Sequence, residues 1–275
     1  MWVVKASGET EEFDLNKIKR TCLKSGASRS LANKIAKEVE KKSYNGISTK
    51  EILETTLRLL EKRKPFIAAR YDLKGSLFRL GPAGFAFERL IAEILKENGF
   101  KTKVDSMIRG FCVPQEIDII ATMKNRSYMI ECKYHNLPGI YTGLREALYT
   151  YARFLDLKNG ARKGLCHDFE QPWLICNTRF SEDAVQYSKC VGLNLVGWDY
   201  PRKNGLRDLM EKNKLYPITM IRKLDRFSQE KLALAGLVLI RDLTEMSIKE
   251  LNKITKISVK KLKTLVNEAE MITHG

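Results

Sequence analysis

The chain has 275 residues, with 49 lysines and arginines against 33 aspartates and glutamates and a formal net charge of +16. At 44% hydrophobic and 30% charged it can bury real cores, which excludes wholesale disorder, and no stretch approaches the roughly 20 apolar residues of a membrane span. The six cysteines, at 22, 112, 132, 166, 176 and 190, form no C-x-x-C pair, so neither a zinc site nor a disulfide framework is expected, and a reducing cytoplasm is. The opening Met1-Trp2-Val3-Val4-Lys5 runs into Gly8-Glu9-Thr10-Glu11-Glu12 without the basic-then-apolar pattern of a signal peptide.

Breaks at Gly81-Pro82-Ala83-Gly84 and between Pro201 and Pro217 suggest three domains, 1–80, 81–215 and 216–275, with net charges of +8, +4 and +4. A basic excess spread over all three favours a polyanionic partner, nucleic acid first. The first segment opens with a hairpin (Trp2-Val3-Val4, a turn at Ser7-Gly8-Glu9, then Glu12-Phe13). Asp14 is placed to cap a helix over 15–25. Helices are expected near 28–42 and 48–62, the latter with capping-box spacing from Ser48 to Glu51. The middle segment alternates: a helix over 84–98, strands near 102–108, 116–123 and 127–134, a helix near 141–157, a strand at 172–177, a helix at 181–191 and a strand at 194–198. Such alternation implies an α/β fold with some parallel pairing. Trp173 and Trp198 read as core. The last segment reads as helices over 218–235, 247–253 and 258–270.

The chemistry concentrates between 84 and 135. Alternation places Asp118 with Ile120, and Glu131 with Lys133, on shared strand faces. If Lys124-Asn125 is a two-residue turn, Asp118 stands directly opposite Glu131. Facing carboxylates repel unless a cation lies between them, and Mg²⁺ or Mn²⁺ suits oxygen ligands. Lys133 is then placed to act on a metal-bound water or on developing phosphorane charge. Glu88 lies at the edge of the apolar face formed by Phe87, Leu90, Ile91, Ile94 and Leu95, where a carboxylate needs a partner. His135 is either a phosphate or water contact or a bystander in a loop.

Gly84-x-x-Phe87-Glu88 on a helix, followed by Glu116-x-Asp118 and Glu131-x-Lys133 on consecutive strands, resembles the PD-(D/E)xK nuclease core, and within it the Mrr-type restriction endonucleases. The resemblance implies a restriction-endonuclease-like αβββαβ core and Mg²⁺-dependent DNA cleavage. It implies Asp118 and Glu131 as metal ligands, Lys133 as catalytic lysine and Glu88 as helix acid. Glu131 stands where many Mrr-type proteins carry Gln, and Glu116 where many carry a small or apolar residue.

Val4-Lys5-x-x-Gly8, Glu11, Phe13-Asp14-x-x-Lys17-Ile18, Ile47-Ser48-Thr49-x-x-Ile52 and Ala68-x-x-Tyr71 resemble the ATP-cone, a mostly helical nucleotide-sensing module. By position, Lys5, Glu11, Asp14, Lys17 and Thr49 would line a site for ATP or dATP. Ala6 stands where the family often has Arg, and Leu53 where some members have His. Oligomerisation, as a homodimer, is implied as well.

At the end of the strand 172–177, Thr178 and Arg179 either touch DNA phosphate or cap locally. In the last segment Lys256, Lys260 and Lys261 lie about a bend at Lys256-Ile257-Ser258. This resembles a helix-hairpin-helix DNA-binding module without its glycine-rich hairpin, the alternative being a solvated face. The expectation for the whole is a Mg²⁺-dependent DNA endonuclease with an adenine-nucleotide effector. The alternative is a non-catalytic DNA-binding or nucleotide-sensing regulator on a nuclease-fold scaffold.

Overall fold

The computed structural model describes residues 1–81 and 84–274; Pro82 and Ala83 of the first expected break lie outside the described residues. The chain divides into two compact units, Met1–Arg79 with Tyr216–Gly275, and Leu80–Leu215. The first and last expected segments thus share one unit.

That unit opens with β1 (Trp2–Val4) antiparallel to β2 (Thr10–Glu12), and β1 also pairs in parallel with β3 (Ile47–Ser48). Helix α1 (Leu15–Lys24) starts where Asp14 Oδ1 accepts from the Asn16 N–H at 2.8 Å. Helix α2 (Arg29–Lys42) is capped by Ser28, and α3 (Thr49–Glu61) by Ser48, whose hydroxyl also donates to Glu51 at 3.0 Å. Pro65 then starts α4 (Pro65–Tyr71), followed by α5 (Leu73–Phe78). Neither of these helices is among those expected from the sequence; Pro65 occupies the first helical position, where its missing N–H costs nothing. Ile18, Cys22, Ile35, Val39, Leu60 and Ala68 form the core.

The second unit runs α6 (Phe85–Glu97), β4 (Lys101–Arg109), β5 (Pro114–Met123), β6 (Arg126–Lys133), β7 (Tyr141–Thr142), α7 (Leu144–Arg162), β8 (Gln171–Cys176), β9 (Arg179–Phe180), α8 (Glu182–Val191), β10 (Asn194–Val196) and α9 (Leu206–Lys212). Its five-stranded sheet has the order β10-β8-β6-β5-β4; β4, β5 and β6 are antiparallel neighbours, and β6–β8 and β8–β10 are parallel. This is a mixed α/β architecture. Lys124 and Asn125, with φ of 49° and 62°, make the turn between β5 and β6. Two left-handed residues in a two-residue loop match the twist of the flanking strands. Met123 therefore faces Arg126 and Ile119 faces Ile130. The apolar face of α6 is buried as expected, with Phe87 and Leu90 fully inaccessible. Trp198 is core, but Trp173 is only half-buried, edge-on to Phe100 and Tyr128, and its indole N–H has no hydrogen-bond partner among the described residues.

The first unit is completed by a 3₁₀ turn (Ile218–Met220), α10 (Arg226–Leu234), α11 (Ile240–Thr244), α12 (Ile248–Thr255) and α13 (Val259–His274). The continuous helix expected over 218–235 is broken. Asp225 accepts from the Ser228 N–H at 2.9 Å and restarts the chain as α10. Two joints tie this part to α4 and α5. Arg70 donates to the Ile272 carbonyl from Nε at 3.2 Å and Nη2 at 2.7 Å, and the Thr219 hydroxyl donates to the Ser76 carbonyl at 2.7 Å. No helix among the described residues is long and apolar enough to cross a membrane.

Candidate functional site

The β5–β6 register, continued one pair beyond Ile119–Ile130, sets Asp118 opposite Glu131. Asp118 Oδ2 accepts the Cys132 N–H at 2.7 Å. Burial raises the Asp118 carboxyl above its ordinary range, opposed by that N–H and by Arg153. Burial first, then Asp118, pushes Glu131 up to about 7, against the pull of Arg153 and Lys133. Glu88, half-buried in the first turn of α6, is likewise pushed up to about 7, by burial first and then by Asp118 and Asp105. The expected quartet of Glu88, Asp118, Glu131 and Lys133 thus forms one electrostatic neighbourhood.

Two further residues enter it that the sequence does not announce. Asp105 occupies the β4 position across from Asp118, between the pairs Val104–Ile119 and Ser106–Ile117, with a φ of 48°. In the sequence it is one polar residue among several in an exposed strand. Arg153, from α7, is 8% exposed and donates Nη1 to Glu131 Oε2. The helix was legible, but nothing in its local pattern shows which arginine would reach a strand.

Among the described residues no group of three or more His, Cys, Asp or Glu side chains is arranged to hold a metal ion. The expected ligand pair is narrower than that: two facing carboxylates, both raised by burial, with Asp118 raising Glu131 further. Oxygen donors of this kind suit a hard divalent cation, which would relieve the repulsion.

Protons should reveal the strain. A carboxyl whose pKa is higher in the folded than in the unfolded chain binds extra protons when folded, so stability falls as pH rises between the two values. In chelator, the contribution of Glu131 should be lost between pH 4.5, its ordinary value, and about 7. The expected result is that Glu131→Gln melts progressively higher relative to the wild type across that window; a constant difference in Tm would contradict it.

His135 is built into the fold rather than left loose. Its N–H donates to Asn177 Oδ1 at 2.9 Å, Asn177 donates back to its carbonyl at 2.7 Å, and Nε2 lies 2.9 Å from the Thr142 hydroxyl. Burial, then Lys133, lowers its pKa, against the pull of Glu146. Arg179 is exposed at the start of β9, but Thr178 is 3% exposed and its carbonyl accepts the Trp198 N–H, which removes it as a phosphate contact.

In the last segment Lys256 and Lys260 are exposed. Lys256 takes the left-handed conformation that ends α12. The Lys261 ammonium donates to the Lys223 carbonyl at 2.7 Å and pairs with Asp225 at 2.5 Å, holding Asp225 down to about 2. It serves the fold there. A glycine bend does exist in this segment: Gly236, with φ of +80°, joins α10 to α11.

The expected nucleotide residues also converge. Glu11, Asp14, Lys17 and Thr49 line a cavity of about 170 Å³, with Tyr71 and Leu53 on its wall. Lys5 does not line it; its ammonium pairs with Glu9 at 3.3 Å and Glu11 at 3.5 Å, and Lys17 pairs with Glu11 at 2.9 Å. The cavity is smaller than the roughly 300–1,000 Å³ that encloses a drug-sized ligand.

Residues 1–73 match the family model described as the ATP cone domain. The N-terminal segment is an ATP-cone domain. Residues 216–273 match the model described as AF1548-like, C-terminal. An uncharacterised protein of Archaeoglobus fulgidus is 46% identical over 182 residues, spanning 66% of this chain and 99% of the relative. The crystal structure of AF1548, a protein of unknown function, superposes with a TM-score of 0.63 at 43% identity, covering 70% of this chain and all of that one. The chain belongs to the AF1548 family.

Proposed function

We propose that the chain is a metal-dependent nuclease that hydrolyses DNA phosphodiester bonds, with an adenine nucleotide bound to the ATP-cone as its effector. The observation that carries the reading is the convergence of Glu88, Asp118 and Glu131 beside Lys133, with Glu88 and Glu131 both pushed up to about 7 by burial and then by Asp118. A fold gains nothing from facing acids; a cation site needs them. Asp118 and Glu131 would hold Mg²⁺ or Mn²⁺. Bound there, the metal would lower the pKa of its water and neutralise phosphoryl charge. Glu88, with a pKa of about 7, is suited to take or give a proton at neutral pH. The Lys133 ammonium is suited to stabilise charge on the phosphoryl oxygens. Exposed Arg179, Lys256 and Lys260 are suited to the DNA backbone, where each would add to salt dependence and little to sequence choice. A homodimer would supply one such site per strand.

One observation favours a second reading. The Arg153 guanidinium already neutralises Glu131, as it would in a scaffold that binds nucleic acid without cutting it.

Incubation of supercoiled plasmid with the full chain separates the two. The nuclease reading expects nicked or linear DNA with Mg²⁺ or Mn²⁺, none in chelator, and a change of rate with ATP. DNA binding without cleavage of any form under any of these conditions supports the scaffold. For the cone, Lys17→Ala is expected to weaken ATP about tenfold in calorimetry, the scale of one lost charge-assisted hydrogen bond. Equal affinity would remove Lys17 from the site.

A further inference from the structure

Arg153 has no role in the scheme above, yet no other lysine, arginine, aspartate or glutamate among the described residues is as buried. Burying an ion pair is costly, and removing it for apolar residues is often neutral or stabilising. Stability alone therefore does not explain it. Its surroundings form an ordered relay. Nη1 donates to Glu131 Oε2, and Nε donates to Gln115 Oε1 at 3.2 Å. The other end of the Gln115 amide donates to Asp156 Oδ2 at 2.7 Å, and Asp156 Oδ1 accepts the Cys112 N–H at 2.7 Å. Asp156 lies one turn beyond Arg153 on α7, so a single helix clamps both ends of Gln115. The Tyr149 ring lies 5.3 Å from the guanidinium carbon and covers one side. The guanidinium plane is set by these partners, and it fixes which oxygen of Glu131 is engaged.

We propose that Arg153 is the positioning residue of the cation site: it holds Glu131 by one oxygen and so presents the other to the metal. This rests on the nuclease reading, in which Glu131 is a ligand. Groups that orient a metal ligand from behind are worth about 10–100-fold in metal affinity when removed. The sign is the informative part. By charge alone, deleting a cation beside the carboxylates would tighten binding of a second cation; by positioning, it weakens binding.

The experiment is Mn²⁺ binding to the full chain without DNA, by electron paramagnetic resonance and calorimetry, for the wild type, Arg153→Met and Arg153→Lys. The expected result is a loss of about 10–100-fold in Mn²⁺ affinity for Arg153→Met. Arg153→Lys should recover part of the loss, since lysine restores a donor and not the fork. Mn²⁺ binding to Arg153→Met as tightly as to the wild type, or more tightly, overturns the proposal and leaves the nuclease reading standing. A wild type that binds no Mn²⁺ overturns that reading, and the proposal with it. Melting in chelator reports whether Arg153→Met folds. If it does not, Gln115→Leu, which frees the guanidinium without deleting it, decides: a smaller loss of affinity is expected, and an unchanged affinity overturns the proposal.

Discussion

Asp118→Asn is expected to abolish plasmid cleavage, by at least about 10³-fold, and to leave the chelated protein as stable as the wild type or more so. The loss follows from removing one of two charged ligands and the electrostatic stabilisation it anchors, where even a single stabilising donor is worth about 10²–10³ in rate. The stability follows from what asparagine keeps. Its side-chain oxygen can still accept the Cys132 N–H that Asp118 accepts at 2.7 Å, so no backbone donor is orphaned. What disappears is a negative charge that burial disfavours and that raises the pKa of both Glu88 and Glu131. Thermal melts in chelator and in Mg²⁺ test the pair of signs together. The wild type should gain stability with metal by mass action, and the variant should not. A variant that melts well below the wild type in chelator, or still gains stability with Mg²⁺, would place Asp118 in the fold rather than the site.

Phe87→Ala costs about 3–5 kcal/mol in urea unfolding, the range for deleting a fully buried aromatic ring. Phe87 is inaccessible and lies 5.7 Å, ring to ring, from Tyr134. These are the residues next to Glu88 and Lys133. The cavity therefore opens beside Glu88 and Lys133, and on the nuclease reading cleavage should fall even at temperatures where the variant is folded. Leu195→Ala, in the β8–β10 part of the same unit and 4% exposed, should lose about 2–5 kcal/mol and keep its cleavage when folded. Equal losses of cleavage in the two variants would sink the link between this packing and the site.

What was legible in the sequence was local. The Lys124-Asn125 turn defines the register that sets Asp118 opposite Glu131, because two residues of positive φ permit one loop length and one pairing. The periodicity of α6 marks Phe87 as core and Glu88 as an acid at its margin. Ser48 and Asp14 announce their helices. What was not legible depends on contacts between distant parts of the chain. Asp105 matters because β4 lies beside β5, and Arg153 because α7 delivers it to a strand 22 residues earlier. The broken helix over 218–235 reflects Asp225 capping a new start. The ATP-cone pattern, being a run of spaced residues, could be read directly; four of its five expected residues line the cavity, while Lys5 turns to Glu9 and Glu11.

The joint between Arg70 and the Ile272 carbonyl spans 202 residues of chain. At synthesis rates of about 5–20 residues per second, its two halves leave the ribosome about 10–40 s apart. Every strand of the five-stranded sheet is made within that interval. The unit begun first is therefore the one finished last, and for tens of seconds the nascent chain carries α4 with its arginine waiting for a partner not yet translated.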